Sequence, residues 1–168
     1  MTFLMHGEYN TNEIQTDRVD QGFRLERVVR NLTDQKRDGT SGAPFKLGDK
    51  ILITFRVNTQ KLQNYVALED PLPAGLEIVN PDLAMIGKFF EIPGDSSDRE
   101  LELSYSEMKD KATLLYFDRI DPGTGTYSIL ARAVVAGSFR WPATQIAPMY
   151  ESRFFGFCPS SLCVISGE

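Results

Sequence analysis

Between residues 51 and 58 the chain alternates with a period of two. Ile51, Ile53, Phe55 and Val57 interleave with Leu52, Thr54, Arg56 and Asn58. That spacing places the odd set on one face of an extended strand, turned towards a core. The same period returns elsewhere: Phe23, Leu25, Arg27 and Val29 share a face, as do Leu101, Leu103 and Tyr105, and Tyr127, Ile129, Ala131, Ala133 and Val135. Shorter extended pieces are expected at residues 65–68, 75–79, 113–117, 138–141 and 162–165. Turn signals separate them, the strongest being Asp121-Pro122-Gly123-Thr124-Gly125. No long helical period competes, and at most a turn or two of helix is expected between Pro81 and Phe90. About eight or nine short strands with turns every 8–12 residues or so predict an all-β fold, a single antiparallel β-sandwich. The first 21 residues are polar and irregular and read as an N-terminal arm or linker, with one sandwich domain over residues 22–168.

Length and composition fit this. The 168 residues are 42% hydrophobic and 24% charged, enough for one sizeable core. Eighteen basic against twenty-three acidic residues give a net charge of -5, with no basic run, which argues against a nucleic-acid partner. No apolar run is long enough for a transmembrane helix, and no signal peptide is visible. The residues alone therefore leave either a cytosolic chain or a piece of a longer exported protein.

Candidate chemistry is thin. One histidine, His6, lies in the polar arm and has no acid to orient it, so no catalytic residue and no enzyme activity are expected. Cys158 and Cys163 are spaced unlike a zinc hook, and no metal or other cofactor is expected. With no basic cluster beside them to lower a thiol pKa, the cysteines read as structural or inert. Glu69 and Asp70 are neighbours on a strand and point to opposite faces, which excludes a glycosidase-type pair. Asn31-Leu32-Thr33 matches a glycosylation acceptor, of consequence only on a eukaryotic secretory route. Tyr127, after a Pro-Gly turn, has a structural reading as a tyrosine corner: ring in the core, hydroxyl on a backbone group upstream.

Four segments carry a resemblance. They are Tyr65-Val-Ala-Leu-Glu-Asp-Pro-Leu-Pro-Ala-Gly-Leu-Glu-Ile-Val-Asn80, Leu115-Tyr-Phe-Asp-Arg-Ile-Asp-Pro-Gly123, Thr126-Tyr-Ser-Ile-Leu-Ala-Arg-Ala133 and Gly137-Ser-Phe-Arg-Trp-Pro-Ala143, followed by Ala147-Pro-Met-Tyr150. Together they resemble the last macroglobulin-like domain of bacterial alpha-2-macroglobulins. The resemblance implies a macroglobulin-like, immunoglobulin-like sandwich, similar to a receptor-binding domain. It also implies a part in a broad-spectrum protease inhibitor: non-enzymatic, packed beside the thioester domain and neighbouring macroglobulin domains, and meeting proteases only through the parent. In that family a Met-Tyr pair shields the thioester from water, and Met149 and Tyr150 occupy the matching segment. The Cys-x-Glu-Gln thioester sequence and the bait region are absent from these residues. The resemblance further implies a periplasmic or extracellular setting within a larger exported parent, its membrane anchoring left open, and a monomeric isolated domain. The alternative reading is a generic extracellular β-sandwich that binds a protein or glycan through its loops.

Overall fold

The computed structural model describes residues 17–79, 98–109 and 112–167. His6 and the 81–90 segment, where a turn of helix was expected, lie outside them. The described residues contain no helix and fourteen strands. In chain order these are β1 (Val19–Gln21), β2 (Phe23–Asn31), β3 (Phe45–Lys46), β4 (Lys50–Thr59), β5 (Gln63–Pro71), β6 (Leu76–Ile78) and β7 (Arg99–Glu100). β8 (Tyr105–Lys109), β9 (Ala112–Ile120), β10 (Gly123–Ala133), β11 (Gly137–Trp141), β12 (Thr144–Pro148), β13 (Phe155–Cys158) and β14 (Ser161–Ser166) follow.

Two sheets make the sandwich. The larger runs β1-β13-β12-β5-β9-β8; the facing one runs β2-β4-β10-β6, with β7 also on β10. Their inner faces meet in one core containing Phe23, Leu25, Ile53, Phe55, Leu68, Leu115, Phe117, Ile129 and Ile146. Ile51, Ile53, Phe55 and Val57 are all fully buried, as their alternation predicts. Leu52 and Thr54, on the other face of β4, are buried too, and Thr54 Oγ1 shares a hydrogen bond with Ser128 Oγ at 2.8 Å. The Asp121-Pro122-Gly123 turn joins β9 to β10, and Gly123 takes a φ of +106°, which a residue with a Cβ adopts only with strain.

Three features depart from the sequence reading. A third sheet, β11-β14-β3, adds to the sandwich, and two short pairs, β7 on β10 and β3 on β14, are parallel. Residues 101–104 are not a strand; Leu101 instead plugs the core while its N–H bonds the Thr126 carbonyl at 2.8 Å. The larger sheet also takes in Val19–Gln21, which pairs with β13 on the arm side of the boundary drawn at residue 22.

Candidate functional site

β12 ends at Pro148, and the chain leaves the sheet through Met149 and Tyr150. The Met149 N–H donates to the Tyr65 carbonyl at 2.8 Å, which carries the β5–β12 contact one residue past the last paired position. Tyr65 has a φ of +52°, a left-handed backbone that costs a side-chain-bearing residue roughly 1–2 kcal/mol. It drops out of the ladder with β9, although Asn64 and Val66 on either side pair with Arg119 and Phe117. Its ring meets that of Tyr150 edge to face, centroids 5.7 Å apart. The three side chains stand outside the core: Tyr150 is 78% exposed, Met149 55% and Tyr65 54%. Nothing in the sequence marks Tyr65 as the partner, since a left-handed tyrosine inside a strand has no local signature.

This cluster sits on the outer face of the larger sheet, and the register shows what surrounds it. One row across the strands reads Tyr105, Tyr116, Ala67 and Ala147. The next reads Glu107, Leu114, Glu69, Gln145, Phe157 and Val19. Tyr105 and Tyr116 stack with ring centroids 5.8 Å apart. Ordinary antiparallel sheets pair an apolar inner face with a polar outer one. Here aromatic and small apolar residues occupy much of the outer face too.

Tyr127 is placed elsewhere, on β10 of the facing sheet. Its ring is half-buried, edge to face with Phe117 at 5.9 Å. Burial, reinforced by the charge of Glu100, pushes its phenol pKa upwards. Among the described residues its hydroxyl makes no hydrogen bond to a backbone group.

The sequence reading missed a buried polar cluster. Arg27 turns inward from β2, and its Nη1 donates to Asp70 Oδ1 at 2.8 Å, the Pro142 carbonyl at 2.9 Å and Thr144 Oγ1 at 3.0 Å. Its Nη2 donates to Ser161 Oγ at 3.1 Å, and its guanidinium lies 4.3 Å from the centroid of the Trp141 ring. Thr144 Oγ1 donates in turn to Asp70 Oδ1 at 2.6 Å. Burial pushes the Asp70 carboxyl above its usual range; Arg27, Thr144 and Trp141 pull the other way. Asp70 is thus a core ion-pair partner. Cys158 and Cys163 are both buried and unpaired with each other, and burial raises both thiols, Cys163 to about 11. A thiol held protonated is a poor nucleophile. Among the described residues no group of His, Cys, Asp and Glu stands where it could hold a metal.

The acceptor triplet is closed off as well. Asn31 is 1% exposed, its Nδ2 donates to Asp49 Oδ2 at 2.7 Å, and its Oδ1 accepts from the Thr33 and Asp34 N–H groups.

Comparison with known families now decides the relationship. Residues 22–152 match the family described as the bacterial alpha-2-macroglobulin MG10 domain. The chain belongs to this family. An alpha-2-macroglobulin homolog of Nostoc sp. is 28% identical over 149 residues, covering 86% of this chain and 7% of the relative. The native conformation of Escherichia coli alpha-2-macroglobulin superposes with a TM-score of 0.73 at 21% identity, over 89% of this chain and 10% of that one. A Salmonella alpha-2-macroglobulin carrying a tyrosine-to-glycine mutation superposes with a TM-score of 0.72 at 20% identity, over 92% of this chain and 10% of that one. At those identities the two structures show a shared fold. The MG10-type chain therefore spans less than a tenth of the Nostoc relative's length and a tenth of each structure's.

Proposed function

We propose that this MG10-type domain serves a bacterial alpha-2-macroglobulin-like protease inhibitor by packing beside its thioester domain, with Met149 and Tyr150 laid over the thioester. The observation that carries this reading is the exposed Met149–Tyr150 pair, propped by Tyr65 on a sheet face that also carries Tyr105 and Tyr116. A ring 78% exposed adds little to the stability of its own domain, yet this one is held in a defined place by a strained backbone and an edge-to-face contact. Both properties suit a part whose work lies on a neighbouring surface.

The chemistry is exclusion of water. A thioester is lost when water or an amine reaches its carbonyl carbon. A flat ring packed over that carbon blocks approach, while its hydroxyl retains a polar partner. The domain contributes shape and cover, and no catalytic group. Proteases would be met by the parent, in the periplasm or outside the cell, with neighbouring macroglobulin domains completing the assembly. The test is Tyr150→Gly in the full-length parent, the kind of substitution carried by the Salmonella structure. The isolated domain should lose no more than about 1 kcal/mol. The parent should release its thioester thiol faster in buffer and in methylamine. An unchanged thioester lifetime would remove the shielding role.

A further inference from the structure

A second feature lies apart from the Tyr150 loop. A cleft of about 460 Å³ opens where β1 turns into β2, between the end of β4, the β4–β5 loop and Phe154. Ligand pockets in proteins run from roughly 300 to 1,000 Å³, so the volume suits a small ligand. Gln63 lines it. Only 5% of the residue is exposed, and its side-chain amide makes no hydrogen bond to any described residue, which leaves the amide open to the cleft it lines. The amides of Asn58 and Gln60 line the same space. Asn58 donates to Thr124 Oγ1 at 2.8 Å, and its side-chain oxygen makes no hydrogen bond to any described residue.

Charge at the rim is mixed, with cations ahead. Lys61 forms no ion pair among the described residues, and Arg24 is pinned to Glu26 at 3.2 Å through Nε and Nη2, which leaves Nη1. Asp20 supplies the opposing carboxylate. Phe154 adds apolar surface and lies close against Gly22, where φ is +89° and a Cβ would come within 2.6 Å of its ring. A second cleft of about 280 Å³ adjoins, sharing Arg24 and Asn58.

We propose that this cleft binds a short acidic saccharide, with the Gln63, Gln60 and Asn58 amides on its hydroxyls and Lys61 with Arg24 on its carboxylate. An amide offers a donor and an acceptor side by side, which matches vicinal hydroxyls that both give and take hydrogen bonds. Phe154 takes the apolar edge of a sugar ring. A peptide adding itself as a strand needs a free backbone edge. Here that edge is closed, because Gly22 bridges to Phe155 and Phe23 pairs with Thr59. The site owes nothing to the thioester and stands or falls separately from the shielding role.

Titration of the isotopically labelled 168-residue chain, followed by NMR, tests it. The probes are trigalacturonate, neutral cellotriose and a blocked acidic tripeptide. Trigalacturonate should shift the Gln63 side-chain NH₂ signals saturably, and cellotriose should bind several-fold more weakly. Gln63→Leu should weaken trigalacturonate binding about tenfold, since the variant loses the hydrogen bonds of that amide. Lys61→Ala, at an exposed position that does not threaten folding, should weaken trigalacturonate and leave cellotriose unchanged. Preferential binding of the tripeptide, no saturable shift with either sugar, or unchanged trigalacturonate binding by Lys61→Ala would each overturn the proposal.

Discussion

Cys163 sits at 1% exposure with its thiol raised from 9.0 to about 11, burial being the cause and Arg27 the partial offset. In the unfolded chain the thiol ionises near 9.0; in the native chain it holds its proton to about 11. Across that window the unfolded state binds fewer protons, so native stability must fall as pH rises. Urea midpoints measured from neutral pH up through the window should decline more steeply for the native sequence than for Cys163→Ala. Parallel declines would mean that the thiol is not held protonated by the fold. Single residues were legible in the sequence where burial follows a period: Ile51, Phe55 and Ile129 reach the core for the reason their spacing gives. Arg27 was placed on the correct face by the same rule, beside Phe23 and Leu25, but periodicity carries no information about partners. Asp70 lies 43 positions away in sequence, and only the closed sandwich brings the two together. Tyr65 is hidden for a different reason, since its backbone is set by tertiary contact against local preference.

At the scale of elements, long alternating strands were read well and short ones poorly. β4 and β10 pair over ten consecutive positions, and both are plain in the sequence. β12 and β13 escape because Pro148, Gly156 and the polar Gln145 blur the alternation over only five and four residues. β1 escapes because three polar-flanked residues carry no period; the sheet edge recruits them. That edge gives a prediction. In an antiparallel ladder, successive N–H groups of a strand point alternately to its two neighbours. Deleting residues 1–21 should therefore speed hydrogen exchange at alternate amides of β13, those facing Val19–Gln21, and spare those facing β12. Uniform protection along β13 after deletion would show that β1 contributes no pairing in solution.

For the whole molecule, one guanidinium links all three sheets. Arg27 stands on the smaller main sheet, Asp70 and Thr144 on the larger, and Trp141 and Ser161 on the third. Asp70 Oδ2 and the Trp141 Nε1–H are buried in the same knot with no hydrogen bond of normal geometry among the described residues, although the indole lies near enough to lower the Asp70 pKa. Removing one member of such a pair strands the other charge in the core. Arg27→Met should cost about 3–5 kcal/mol in denaturant unfolding, and adding Asp70→Leu should recover much of it. Strict additivity of the two losses would show that the pair does not act as a unit.

The buried Asn31 amide also bears on how the protein can be produced. Oligosaccharide transfer acts on an Asn-x-Thr triplet while the chain is still extended, before the Asp49 contact can form. In a eukaryotic secretory host, any chain that acquires the sugar there carries a bulky hydrophilic adduct on the very nitrogen that must enter the interior. Such chains cannot close around Asp49, and the product divides into a folding, unmodified fraction and a modified fraction held back as misfolded. Bacterial expression, or a Thr33→Ala change that abolishes the acceptor, avoids the division.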